Sequence, residues 1–132
     1  MKYPIDELLD RKSIMMLKLE HCEDRLEKEM LKDYINMIIN AIENYIADNV
    51  CDLNQVQKWT DELYSINKTI WKLEADIRNG KLSSDLTEVG RRAIEIRNNN
   101  GLRVSVKNKI VEHVQTGFKD IKINHVSQEY IE

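Results

Sequence analysis

Apolar residues recur along most of this chain at the three- and four-residue spacing of an α-helix. The first such stretch begins after Pro4, a residue suited to the first turn of a helix, and continues to Tyr45. It predicts one long helix or two helices end to end, with a break in the mostly charged residues 23–28. Since neither glycine nor proline marks that break, both alternatives stay open.

A second helix is predicted after a turn at residues 47–52, with Asp52 or Asn54 as its N-cap and Gly80 as a left-handed C-cap. Its apolar residues follow one another at steps of 3, 4, 3, 4, 3 and 4, the period of a coiled coil. They are Val56, Trp59, Leu63, Ile66, Ile70, Leu73 and Ile77. This seam predicts a central helix of about 27 residues, roughly 40 Å long.

A third helix is predicted to begin at residues 83–85, where Asp85 and Glu88 have the spacing of a capping box. The three asparagines and the glycine at 98–101 indicate a turn. The apolar face before them nevertheless stays in phase with the one after them, so a continuous helix is favoured. Apolar and polar residues alternate only weakly in residues 118–132, which are expected to form an extended tail.

These segments together predict an all-α protein, a long antiparallel helical hairpin plus a third long helix in a coiled-coil-like bundle. Residues 1–117 form one helical domain in this interpretation, and residues 118–132 form the C-terminal tail. So long a hairpin has more apolar edge than one further helix can cover. The sequence therefore predicts a homodimer that buries the remainder.

Composition agrees with helices, since the 132 residues include one proline, four glycines and 33% charged residues. The two cysteines form no CxxC pair, which favours a reducing cytoplasm. No apolar run approaches the ~20 residues that span a bilayer, so no membrane contact is expected. The net charge is −3, although residues 91–109 hold six basic groups and one acidic group. The negative net charge argues against a nucleic-acid partner.

Known helical metal sites do not fit the sequence. None of the three histidines follows a glutamate by three residues, as helical di-iron sites require. The Glu-x-x-Glu pair of Glu20 and Glu23 lies after the only Glu-x-x-Asp pair, Glu7 and Asp10, which is the reverse of the order in helical nucleotide pyrophosphohydrolases. We therefore predict no metal, no cofactor and no catalytic residues.

A polar set on two helices is the candidate site. Its members lie beside the apolar seam of the central helix or point the same way as the apolar face of the third helix. They are Asn67, Trp71, Glu74, Arg78, Arg92, Asn100, Arg103 and Lys107. Charged groups aimed at a core must be paired or must line a cavity. Glu74 is the expected partner of Arg103 or Lys107.

Two interpretations of this set stay open. One is an ion-pair network that fixes the register between antiparallel helices. The other is a pocket with surplus positive charge from Arg78, Arg92, Arg103 and Lys107, which binds phosphate, sulfate or carboxylate with Trp71 against a ring.

Three motifs carry a resemblance to a known family. The first is an Asp-Arg pair followed by Ser, Ile and Lys, the second an Asn, Trp, Glu and Arg series, and the third an Asn, Arg and Lys series. The matching residues are Asp10, Arg11, Ser13, Ile14, Lys18, Asn67, Trp71, Glu74, Arg78, Asn100, Arg103 and Lys107. In these the chain resembles small helical bacterial proteins classed as a domain of unknown function and often encoded near cell-envelope carbohydrate or glycosyltransferase genes. Ala75 and Gly101 depart from acidic positions of that pattern.

The resemblance implies a helical fold and the same polar residues, and it implies no activity. The biochemical function is therefore predicted only by class. The leading hypothesis is a non-enzymatic helical interaction or assembly protein that self-associates through its long helices and has a possible protein partner. The alternative is an accessory protein that binds a small anionic ligand, a phosphorylated sugar or nucleotide-sugar.

Overall fold

The computed structural model describes residues 3–80 and 85–131, with side chains described up to residue 115. Within those residues the chain forms four helices and no strand: α1 (Ile5–His21), α2 (Arg25–Ala47), α3 (Leu53–Arg78) and α4 (Leu86–Ile131). The all-α prediction is confirmed.

The first apolar stretch is two helices, which settles the alternative that the sequence left open. α1 ends at His21, and Cys22 has an extended backbone with φ −88° and ψ 131°. Asp24 is the N-cap of α2, and its side chain accepts a hydrogen bond from the Leu26 backbone N–H at 2.9 Å. A carboxylate in this position satisfies one of the free N–H groups of the new helix, so the chain reverses direction without glycine or proline.

α3 begins and ends as the sequence predicts. Asp52, rather than Asn54, is its N-cap, and it exchanges hydrogen bonds with Gln55 in a capping box. Gly80 follows the helix with φ +72°, the left-handed conformation that favours glycine. The predicted apolar seam is buried or half-buried along the whole helix.

α4 is continuous through residues 98–101, as the phase of its apolar face predicts. Asp85 accepts a hydrogen bond from the Glu88 backbone N–H at 3.1 Å, whereas the two serines predicted to help start the helix lie outside the described residues. The expected extended tail is wrong: the helix continues to Ile131, and Glu132 lies outside the described residues. After Gly117 this segment has no proline or glycine, so the backbone of α4 continues without a residue that would end it.

α1 lies at the centre of the arrangement and packs against α2, α3 and α4. The Tyr45 hydroxyl donates to the Tyr3 carbonyl at 2.6 Å, so α2 returns antiparallel to α1. α4 runs antiparallel to α3, because Trp59 meets His113 near one end of the pair and Asp76 meets Arg92 near the other. α1, α3 and α4 share the centre of the core, which includes three side chains with 0% exposure: Leu9, Leu63 and Ile110.

α2 lies on the outside of the bundle. Among the described helices, it packs extensively against α1 only. None of the helices in the described part of the chain has an apolar stretch of the length that crosses a membrane.

Candidate functional site

A buried carboxylate on α1 is the centre of the polar site. Asp10 is only 1% exposed, because it lies one residue after Leu9 on the side of α1 that faces α3 and α4. Arg103 of α4 donates to it twice, from Nε to Oδ1 at 2.9 Å and from Nη2 to Oδ2. Such a two-point pair holds both the position and the orientation of the guanidinium.

Asn67 adds a third hydrogen bond to this carboxylate and links it to Ser13. Asn67 of α3 donates from Nδ2 to Asp10 Oδ1 at 2.9 Å and to Ser13 Oγ at 2.7 Å. The Ser13 hydroxyl in turn donates to the backbone carbonyl of Asp10 at 2.7 Å. Asp10, Ser13, Asn67 and Arg103 therefore form one network, the polar cluster, that joins three helices.

The electrostatics of the cluster favour the ionised form of Asp10. Burial raises the pKa of its carboxyl group, but the hydrogen bonds from Arg103 and Asn67 and the charges of Arg103 and Lys107 lower it by more. The pKa of Asp10 is therefore below its ordinary value. The same pairing raises the pKa of Arg103, chiefly through its hydrogen bond to Asp10.

A second ion pair lies one helical turn away. Lys107 of α4 donates from Nζ to Glu7 Oε1, and the same nitrogen is 3.8 Å from Asp10 Oδ2. Two cations thus meet two carboxylates in ion pairs, and the buried carboxyl group of Asp6 lies close enough to interact electrostatically with Lys107. The ion pair predicted between Glu74 and Arg103 or Lys107 is wrong, because α1 supplies carboxylates at closer range; Glu74 acts on Arg103 only as a nearby charge.

The structure brings five of the eight predicted site residues to one cleft of about 320 Å³. They are Asn67, Trp71, Glu74, Asn100 and Arg103. Ile14, Leu17 and Ile70 form the apolar part of the same cleft, the Trp71 cleft.

The other three predicted residues lie elsewhere. Lys107 is at the second ion pair, Arg78 is exposed, and Arg92 donates to Asp76 at 3.0 Å. Arg92 and Arg103 are eleven residues apart on one helix, which separates them by about 16 Å. The four predicted cations therefore do not converge on one ligand position.

The helical-wheel argument missed the α1 half of the site, although Asp10 and Ser13 are among the residues that carry the resemblance. Asp10 and Ser13 are three residues apart, and they follow the spacing of the buried apolar residues Leu9 and Leu17 closely enough to share their side of the helix. Polar residues on the core-facing side of a helix are the signal that could have found them.

The aromatic ring at the cleft has a fixed orientation. His21 stacks on Trp71 with ring centroids 5.1 Å apart and 28° between the ring planes. His21 Nδ1 donates to the Leu17 carbonyl at 2.8 Å, which holds the imidazole in place. In the described part of the chain, no group of three or more His, Cys, Asp or Glu side chains is arranged to hold a metal ion.

Comparison of the chain with protein-family models, with curated proteins and with solved structures gives no match. The resemblance in the three motifs stays a prediction.

Proposed function

We propose that this protein is a helical assembly protein that self-associates as a homodimer through one face of α2. The observation that carries the proposal is a row of large apolar side chains left exposed on that helix. Leu26, Met30 and Met37, which form the α2 stripe, are 71%, 65% and 68% exposed. Single exposed apolar residues are ordinary, but three large ones on the same side of one helix are typical of an interaction surface.

The stripe is distinct from the face that holds α2 on the rest of the protein. Ile38 and Ile42 pack inside and are 5% and 3% exposed. At 100° per residue, the stripe residues lie within about 40° of one another, and the two isoleucines lie roughly 80° or more away from them. The fold needs only the buried face, so the stripe is available to a partner.

Charge does not oppose a second copy of this chain as that partner. Residues 25–33, the first turns of α2, hold three basic residues, Arg25, Lys28 and Lys32, and three acidic residues, at positions 27, 29 and 33. A two-fold interface places a surface against itself, so a segment with a large net charge would repel its own copy. This segment has no net charge, although at 100° per residue its acidic residues lie closer to the stripe than its basic ones.

A groove next to the stripe gives a partner side chain a place to insert. It has a volume of about 210 Å³, lies between α1 and α2, and is lined by Tyr3, Leu8, Tyr34, Met37 and Ala41 among others. Pockets that accept an apolar anchor are the usual energetic centres of protein interfaces. The groove and the stripe share Met37, which supports one continuous interaction surface.

The alternative, a pocket for an anionic ligand, has less support. Arg103 pairs with Asp10, Lys107 with Glu7 and Arg92 with Asp76. An anion site needs cations that are free to meet the ligand. The pairing instead supports the first interpretation, an ion-pair network that fixes how α1, α3 and α4 sit against one another. A cytoplasmic location is part of the proposal and rests on the cysteine usage of the sequence.

The test is the mass of the protein in solution, measured by light scattering across a concentration series. The wild type is expected to have twice the mass of one chain. The variant Leu26→Lys/Met37→Lys is expected to have the mass of one chain, because each lysine places a charge in the interface.

A matched control keeps the number and type of substitutions but moves them to α4. Leu102 and Val104 are 56% and 54% exposed, so Leu102→Lys/Val104→Lys removes exposed apolar residues elsewhere. That variant is expected to remain a dimer. A monomeric wild type, or a stripe variant that keeps the wild-type mass, would contradict the proposal.

A further inference from the structure

The Trp71 cleft is lined by hydrogen-bonding groups that the polar cluster does not use. Buried polar side chains that only join helices use their hydrogen bonds on one another. In this cleft, some of the hydrogen-bonding capacity is left over and lies beside an apolar wall.

Asn67 provides the clearest case. Its side chain is 5% exposed and lines the cleft, and both hydrogens of its amide nitrogen are used, one on Asp10 and one on Ser13. Its carbonyl oxygen accepts no hydrogen bond from the part of the chain that the structure describes. The one buried side-chain N or O atom without a partner in the described residues is Arg92 Nε, so the Asn67 oxygen is accessible, and a ligand or water can donate to it.

Arg103 adds a donor next to that acceptor. Its Nε and Nη2 atoms are bonded to Asp10, which leaves Nη1. Arg103 Nε and Asn67 Nδ2 each lie 2.9 Å from the same Asp10 oxygen, so the two side chains are neighbours. Asn67 and Arg103, which line the cleft, therefore carry a spare acceptor and a spare donor, and the carboxamide of Asn100 and the carboxylate of Glu74 belong to the same cleft.

The rest of the cleft is aliphatic and aromatic. Ile14, Leu17 and Ile70 supply aliphatic surface, and the indole of Trp71 stacks against His21. An aromatic wall with a few fixed polar groups is the usual construction of a small-molecule site.

Charge decides against an anion in this cleft. The positive charge of Arg103 is balanced by Asp10, and Glu74 adds a negative charge. We infer that the Trp71 cleft binds an uncharged ring compound, with an apolar face against the indole and a polar edge against Asn67, Asn100 and Arg103. A sugar ring and a nucleoside base share this chemistry.

The test uses the two tryptophan indole N–H signals in a nitrogen–proton correlation spectrum, with Trp71→Phe identifying the signal of Trp71. The probes are methyl β-glucopyranoside for a sugar ring, uridine and adenosine for a base, and inorganic phosphate as the anion. We expect one of the uncharged probes to shift the Trp71 signal in a saturable way while the Trp59 signal stays in place. Phosphate is expected to shift neither.

Two variants on α4 make the test specific. Asn100→Ala removes one polar group of the cleft and is expected to weaken binding of the active probe about tenfold, the effect of one hydrogen bond. Asn98→Ala changes an exposed asparagine two residues away, outside the residues that line the cleft, and is expected to bind as the wild type does. The inference is overturned if no uncharged probe shifts Trp71, if phosphate is the probe that shifts it, or if Asn100→Ala binds as tightly as the wild type. None of these outcomes depends on the α2 stripe.

Discussion

Arg103 donates two hydrogen bonds to the carboxylate of Asp10, a residue 93 positions earlier in the chain and 1% exposed. The pair joins the first helix to the last, and Asn67 adds the third helix to the same carboxylate. A charge with so little exposure is stable only with its partners in place. The positions of α1, α3 and α4 therefore depend on one another through this carboxylate.

The first prediction concerns removal of that charge. Asp10→Asn is expected to lower the free energy of unfolding by roughly 3 kcal/mol, the low end of the range for breaking a buried ion pair, because the Arg103 side chain keeps 29% exposure. Denaturant unfolding followed by circular dichroism measures this change.

The exposed ion pair of Arg91 and Glu88 supplies the control, since the Arg91 side chain is 65% exposed. Arg91→Gln is expected to change the free energy of unfolding by less than about 1 kcal/mol. If Asp10→Asn costs no more than Arg91→Gln, the polar cluster does not hold the helices together.

The second prediction is an acid-dependent loss of stability that comes from Asp10. Its pKa in the folded protein is lower than in the unfolded chain, where an aspartate has a pKa of about 3.9. Protons therefore bind the unfolded chain more readily, and the stabilising contribution is present above the unfolded pKa. It is lost as the pH falls below about 4 toward the folded pKa. Unfolding curves between pH 7 and pH 2 follow the loss.

Two variants separate this effect from general acid unfolding. Asp10→Asn is expected to flatten the acid side of the stability curve. Asp6→Asn is expected to steepen the slope, because burial and the charge of Glu7 raise the pKa of Asp6, so that Asp6 has the opposite dependence on pH and partly offsets the effect of Asp10. An unchanged acid slope in Asp10→Asn would mean that other carboxyl groups govern the acid unfolding.

The period of the apolar residues predicted where the helices lie. The sequence predicted both ends of α3, but it left the break between α1 and α2 open and placed the end of α4 too early. The seam of α3 is a local pattern, and so are the cap at Asp52 and the left-handed glycine at position 80, so each could be found without knowing any long-range contact. The break between α1 and α2 depends on one aspartate cap, Asp24, within a charged stretch that an unbroken helix would also accept. At the other end, weak apolar alternation suggested an extended tail, although alternation without a sheet partner does not stop a helix.

The sequence predicted the side chains that α3 and α4 contribute to the site, but not their pairing with α1. The side chains of α3 and α4 that line the cleft were found because they lie beside apolar residues of their own helices. Asp10 was missed as a partner of Arg103 because pairing across 93 residues depends on how α1 is placed, which no helical wheel contains. Glu74 was chosen instead because it lies on the helix next to α4, where it acts on Arg103 only as a nearby charge.

The third prediction separates the two N-caps that the sequence left open for α3. Asp52→Ala is expected to lower the free energy of unfolding by about 1 kcal/mol, because the Gln55 backbone N–H loses its acceptor at 2.8 Å. Asn54→Ala replaces an exposed residue in the first turn and is expected to change the free energy of unfolding by less than about 0.5 kcal/mol. Equal losses in thermal or denaturant unfolding would contradict the assignment of the cap.

The last prediction tests whether α4 is one helix through residues 98–101. Gly101 is helical and exposed, and a methyl group added there would meet nothing within 4 Å. Gly101→Ala is therefore expected to raise the free energy of unfolding by about 0.5–1 kcal/mol, since alanine loses less backbone entropy in a helix. Gly80 also has open space around it but has φ +72°, so Gly80→Ala is expected to lower the free energy of unfolding by about 1 kcal/mol. Because neither change creates a steric contact, the two opposite signs report backbone conformation alone. A loss of stability in Gly101→Ala would mean that the chain turns at the asparagines instead of continuing as a helix.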